Sequence, residues 1–284
     1  MPRVCPCKIL RLTLRCFLEE KMEVFNNLNG LLKFSILDKF PEVLNFVTTK
    51  QNPFGKGGNF NIGYSGGDDK ETLDNRMLLV SALGLKPENF VIQTQIHKDN
   101  YKIVTAENAG NGFLSKVSAV HGTDILLTNE KNLCLITRSA DCTPVLLYSP
   151  DVKAVAAVHS GREGTFLGVA AKAAKLLNGN FGADFSQMIA CIGPAIGKEC
   201  YEVGEDCAEK FFKNPRFSDN TISKKGEKYF LDLKTMIFDD LRALGLKPGN
   251  IEKSTLCTKC EDKKFFSARR GESQRFCAGI MLKK

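Results

Sequence analysis

Three side chains that stand far apart in the sequence have the chemistry to bind a metal or attack a substrate: His97, Cys142 and His159. Each falls at or just past the end of an expected strand, where the backbone turns and a side chain can face a cleft. Two imidazoles and a thiolate suit Zn²⁺, which takes nitrogen and sulfur ligands and in catalytic sites keeps one position open. Their spacing, 45 residues and then 17, matches no local zinc signature. Two other readings stand beside the metal. Cys142 is a nucleophile with one histidine as its base, or the three are a buried thiol and two hydrogen-bonded imidazoles with no joint role. A metal-bound thiolate is not a free attacking group, so metal and nucleophile exclude each other.

Around these residues lie groups suited to anions. The turn "SGREGT" (160–165) brings backbone N–H groups to a helix start beside Arg162. "FFSARRGESQR" (265–275) supplies Arg269, Arg270 and Arg275, and guanidinium groups bind phosphate or carboxylate through paired donors. The alternative for both is a solvated face. "CTKC" (257–260) is half of a zinc ribbon at best and reads as structural or incidental. Gly193, Pro194 and Gly197 in "IGPAIGKECYEVG" read as an architectural bend.

The elements that must position these groups alternate between strand and helix without strict βα order. Expected strands are 89–97, "DILLT" (124–128), "LCLIT" (133–137), "PVLLYS" (144–149), 152–159, "MIACIG" (188–193) and "IEKSTLC" (251–257). Expected helices are "KETLDNRMLLVSALGL", with Leu73, Met77 and Val80 near one face, then residues 165–177, "EVGEDCAEKFF" and "DLKTMIFDDLRALGL". The Gly/Asn-rich stretch 52–69 is loop, with at most a short strand at 59–63. This is a mixed α/β fold, a single domain of mixed sheets and flanking helices, and not a doubly wound parallel sheet.

Composition narrows the function classes. The net charge of +8 resides at the two ends, +3 in residues 1–21 and +5 in residues 259–284, while positive and negative charges in 22–258 balance. The body has no basic stripe for nucleic acid, and no apolar run is long enough for a membrane span. Eleven cysteines, an odd count without scaffold spacing, read as reduced thiols in a cytoplasm. Residues 1–21 read as an extension ahead of the domain 22–284, with Met22 as an alternative start. Their basic run is interrupted by Arg11 and Arg15 and makes a poor secretory signal.

Six segments in order resemble the laccase-domain family, also called YfiH-like or multicopper polyphenol oxidoreductase-like proteins. They are "FNIGYSGGDDKETLDNR", "QTQIHKDN", "SADCTPVLLY", "AVHSGREGT", "IGPAIGKECYEVG" and "CTKCEDKKFFSARR", and the likeness covers nearly all of residues 40–282. The resemblance implies a compact α/β fold, a monomer or weak homo-oligomer, and a metal, usually zinc, held by His97, Cys142 and His159 as the catalytic centre. It implies phosphorolysis of adenosine, inosine, guanosine or methylthioadenosine, with adenosine deamination beside it. Purine nucleosides and phosphate are then the partners. Arg162, Arg269 and Arg270 become anion-holding candidates, and Asn61 and Gln95 candidates for hydrogen bonds to sugar or base. The family also carries two other readings, an amide hydrolase that edits peptidoglycan precursors and a copper polyphenol oxidase. With three histidines in the chain, a multicopper centre is poorly served. One departure stands out: where the family has Trp-Arg, this chain has Arg162-Glu163.

Overall fold

The computed structural model describes residues 31–54, 58–64 and 66–284. The expectations on residues 1–21 and on Met22 lie outside the described residues. In chain order the elements are β1 (Val43–Val47), α1 (Asp69–Leu83), β2 (Phe90–Thr94), β3 (Tyr101–Ile103), β4 (Val120–His121), β5 (Ile125–Thr128) and β6 (Cys134–Ser139). There follow β7 (Thr143–Ser149), β8 (Ala154–Ser160), α2 (Arg162–Leu167), α3 (Val169–Phe181), β9 (Ile189–Ile192), β10 (Glu202–Val203) and α4 (Glu205–Phe212). The chain closes with β11 (Ile222–Lys225), β12 (Lys228–Leu231), α5 (Leu233–Ala243), β13 (Ile251–Lys253) and β14 (Phe276–Leu282).

The strands form two large mixed sheets, ordered β1-β14-β6-β2-β4 and β13-β9-β7-β8-β5-β3, and a small one, β10-β12-β11. The mixed α/β expectation is met, and the chain is not doubly wound. The large sheets face each other across a core where Leu135, Phe276 and Ile280 meet Leu146, Tyr148 and Val155. Their outer faces are covered in turn. Phe90, Ile92 and Ile136 pack against Leu79 and Val80 of α1. Val145, Leu147 and Val158 pack against Val169, Ala173 and Leu177 of α3 and against Ile237 and Leu241 of α5. Layers therefore run helix, sheet, sheet, helix. Burial on both faces explains why these strands read as unbroken apolar runs instead of alternating ones.

Three expectations change. The helix expected over 165–177 is two helices, α2 and α3, broken at Gly168 with φ +74°. Arg216 crosses this break, donating to Thr165 O and Phe166 O and pairing with Asp240 of α5 at 3.0 Å. The buried face of α1 is Thr72, Asn75, Arg76, Leu79 and Val80, while Met77 is 42% exposed. Arg76 donates to the carbonyls of Ile62 and Phe113, and Asn75 to those of Asn59 and Asn61. Polar side chains turn inward because the Gly/Asn-rich loop presents backbone carbonyls to them. The C-terminal segment, read from its charge, ends in the interior strand β14, flanked by β1 and β6. Among the described residues no helix is long and apolar enough to cross a membrane.

Gly279 in β14 pairs with Phe46, and a Cβ there would lie 2.6 Å from Phe46 Cε1 and 2.8 Å from Ile136 Cδ1. Gly279→Ala is expected to lower the unfolding free energy by about 1–3 kcal/mol through overpacking, read as a lower urea midpoint. An unchanged midpoint would mean the Phe46 ring has room to move.

Candidate active site

The chain passes from one large sheet to the other between β6 and β7, and the crossing residues are Ala140, Asp141 and Cys142. The ends of β2 and β8 come to the same place. His97 lies just past β2, and His159 is the penultimate residue of β8, paired with Pro144 of β7. The ligand atoms of His97, Cys142 and His159 all lie within 4.8 Å of one another. The two imidazoles meet edge to face, centroids 4.8 Å apart.

Asp124, at the start of β5 and fully buried, aligns both histidines. Its carboxylate accepts the backbone N–H groups of Ile96 (3.2 Å), His97 (3.1 Å) and Lys98 (2.9 Å), and the Nδ1 proton of His159 (2.7 Å). Burial raises the Asp124 pKa, but the bonds from His159 and the backbone outweigh it and the net shift is downward. Burial likewise lowers the pKa of His159 despite Asp124, so its ring is neutral and Nε2 carries the lone pair. This is the outer hydrogen bond that metal-binding histidines characteristically make.

The site stores backbone strain at two of its members. His97 has φ +60° and Asp141 φ +87°, a region that residues with a Cβ adopt at a cost of about 1–3 kcal/mol. Asp141 is kept there by three residues from two late segments. Its carboxylate accepts from Thr258 Oγ1 (2.6 Å), Ser267 Oγ (2.9 Å) and Arg269 N (2.7 Å). Gly161 closes the third side. A Cβ at that position would come within 3.0 Å of Cys142 Sγ and 3.2 Å of His97 Cδ2, so a glycine is needed for the turn to approach both.

This arrangement fits a soft or borderline metal ion: one sulfur and two nitrogens converge, one imidazole is neutral and oriented, and a side chain is excluded beside them. Burial pushes the Cys142 thiol up to about 12, with Asp141 adding to the shift and Arg275 opposing it. A neutral thiol of that kind is a poor nucleophile but still ligates a metal that displaces its proton. The third histidine of the chain, His121, lies elsewhere, bonded to Val117 O and Thr94 Oγ1.

His97 and Cys142 open onto a cavity of about 380 Å³ whose walls include Arg162, Glu163, Tyr201 and Arg269; His159 is buried behind them. Arg269 lies over the Tyr201 ring at 4.9 Å and donates to Glu202 O. Of the other expected residues, three are turned to the scaffold. Arg270 donates to Thr258 O, Lys259 O and Phe265 O and pairs with Glu272. Gln95 bonds both the N–H and the carbonyl of Arg138, prolonging the β2–β6 ladder toward His97. Asn61 accepts from Gly63 N and Arg275 N and donates to Thr72 Oγ1. Asp124, Asp141, Gly161 and Tyr201 were not singled out from the sequence. For Asp124 a signal existed, a carboxylate entering an otherwise apolar strand.

Residues 45–283 match the family described as multi-copper polyphenol oxidoreductase laccase. The chain belongs to this family. It is 34% identical over 266 residues to a protein named purine nucleoside phosphorylase from Bacteroides thetaiotaomicron, covering 89% of this chain and 97% of that one. Adenosine deaminase RL5, from an unknown prokaryotic organism, is 31% identical, covering 73% of this chain and 79% of that one. The crystal structure of the hypothetical protein YfiH from Bacillus licheniformis superposes with a TM-score of 0.83 at 31% identity, covering 90% of this chain and 97% of that one.

Asp124→Asn keeps the shape but removes the charge that orients the His159 imidazole and holds the backbone at His97. It is expected to weaken zinc binding about 10–100-fold, as loss of an outer-shell partner does, in a competition titration against a chromogenic chelator. Undiminished affinity would mean that Asp124 serves the fold alone.

Proposed function

We propose that this protein is a purine nucleoside phosphorylase that also deaminates adenosine, with Zn²⁺ held by His97, Cys142 and His159. The observation that carries the reading is the meeting of the donor triad and two arginines, Arg162 and Arg269, at one cavity. Its volume falls in the usual range for small-molecule sites. The names of the relatives, phosphorylase and deaminase, support the same pair of reactions. Copper oxidation of phenols has less support, because a multicopper centre needs more imidazoles than this chain has. A ligand set that includes a thiolate suits a reducing compartment, so we place the protein in the cytoplasm.

Bound Zn²⁺ supplies Lewis acidity toward a water or substrate oxygen. The chain's own residues do the rest. Arg162 and Arg269 hold phosphate against the ribose, Arg269 being steadied by the Tyr201 ring beneath it. Burial pushes the Tyr201 phenol up to about 12, so it stays protonated and donates to a substrate oxygen. Glu163, on the same wall, orients the sugar hydroxyls or exchanges the proton that loss of the purine requires. In this reading the Arg162-Glu163 departure keeps a cation at the phosphate and adds a carboxylate facing the nucleoside.

The test incubates zinc-loaded protein with adenosine, with and without phosphate, and separates the products. Phosphate-dependent release of adenine and ribose 1-phosphate is expected, with inosine as the phosphate-independent product. Arg269→Ala is expected to raise the KM for phosphate about 10–100-fold, the worth of one charged hydrogen bond. No turnover by fully loaded protein would overturn the proposal.

A further inference from the structure

A second group of metal-binding side chains lies behind the cavity wall. Cys200, in the bend after β9, and Cys257 and Cys260, after β13, have sulfur atoms within 4.8 Å of one another, and all three residues are buried. Cys200 Sγ and Cys260 Sγ are 3.4 Å apart. Three thiolates on a tetrahedral zinc, with bonds of about 2.3 Å, place their sulfurs roughly 3.8 Å from one another. The spacing of the cluster therefore needs only small adjustments.

The segments that carry the cluster are held in place by their neighbours. Gly197 N–H donates to Cys257 Sγ at 3.1 Å. Lys234 donates to Ser254 O and Leu256 O, and Arg270 to Thr258 O and Lys259 O, so two cations brace the segment that carries Cys257 and Cys260. Cys260 is disulfide-bonded to a cysteine other than Cys200 and Cys257, so one of the three sulfurs is oxidised and must be reduced before it can bind an ion.

We propose that these three cysteines, once reduced, hold a second thiophilic ion, with Zn²⁺ as its ordinary occupant. A dithiol, itself becoming a disulfide, or a phosphine with water, becoming the phosphine oxide, delivers two electrons and two protons and returns Cys260 and its partner cysteine as thiols. Zinc then binds three sulfurs and displaces three protons. The ion clasps two segments that shape the cavity: Tyr201, a wall residue, follows Cys200, and Thr258, which holds Asp141 beside Cys142, follows Cys257.

The test separates this centre from the first one by its sulfur. In Cys142→Ala protein, reduced with a phosphine under anaerobic conditions, the first centre has no thiolate. Titration with Co²⁺ is expected to give one equivalent with a sulfur-to-cobalt charge-transfer band, absent when Cys257→Ala is added. Wild-type protein reduced with a phosphine, zinc-loaded and desalted under anaerobic conditions is expected to contain two zinc ions per chain, falling to one in Cys257→Ala. One zinc per chain in the wild type, retained by Cys257→Ala, would overturn the proposal. So would a Cys142→Ala protein of native circular dichroism that shows no such band. Neither readout depends on turnover, so the fate of the nucleoside reading is decided separately.

Discussion

A single buried carboxylate governs the geometry of this protein's reactive end. Asp124 accepts three successive N–H groups from 96–98 and the Nδ1 proton of His159, and so ties the end of β2 to the end of β8. A buried charge is costly unless its lone pairs are filled, and here they are filled by the segments that must be aligned. The strained turn at His97 follows from this. Three consecutive N–H groups can point at one carboxylate only if the backbone curls around it, and the φ of +60° at His97 is part of that curl. Asp141 repeats the device on the other side, gathering Thr258, Ser267 and Arg269 onto the turn that carries Cys142.

The two-sheet core makes such a site possible. β6 and β7 lie in different sheets, so the residues between them cross the sandwich at its rim, where polar side chains reach a cavity without breaking a ladder. The cavity then brings a donor set of two imidazoles and one thiol together with two guanidinium groups at its walls. Arg162 and Glu163 place one cation and one carboxylate on that wall at the start of α2. The short helix itself is held by Arg216 through its last carbonyls and through Asp240.

Much of this was legible in the sequence. Strands buried on both faces announce themselves as apolar runs, which is why β5 to β9 were located, and the histidines and cysteine at their ends stood out as chemistry. The break at Gly168 was missed because an apolar stripe continues across it. The inward face of α1 was missed because Asn75 and Arg76 are buried by backbone acceptors in a distant loop, which no periodicity reports. β14 was hidden by its basic neighbours, although "FCAGIML" is apolar throughout. Gln95 and Asn61 were noticed as polar groups near the motifs, but whether an amide faces a ligand or a backbone depends on long-range pairing. Arg269 and Arg270 are adjacent, and only packing decides that the first lines the cavity while the second braces the 258–265 segment.

Whether His97, Cys142 and His159 converge on one metal ion is decided by crystals of the zinc-loaded protein measured above and below the zinc absorption edge. An anomalous peak is expected about 2.0–2.1 Å from His159 Nε2 and from one nitrogen of His97, and about 2.3 Å from Cys142 Sγ. A fully loaded protein with no peak at this position, or with the Cys142 sulfur turned away from it, would mean that the three side chains do not share an ion.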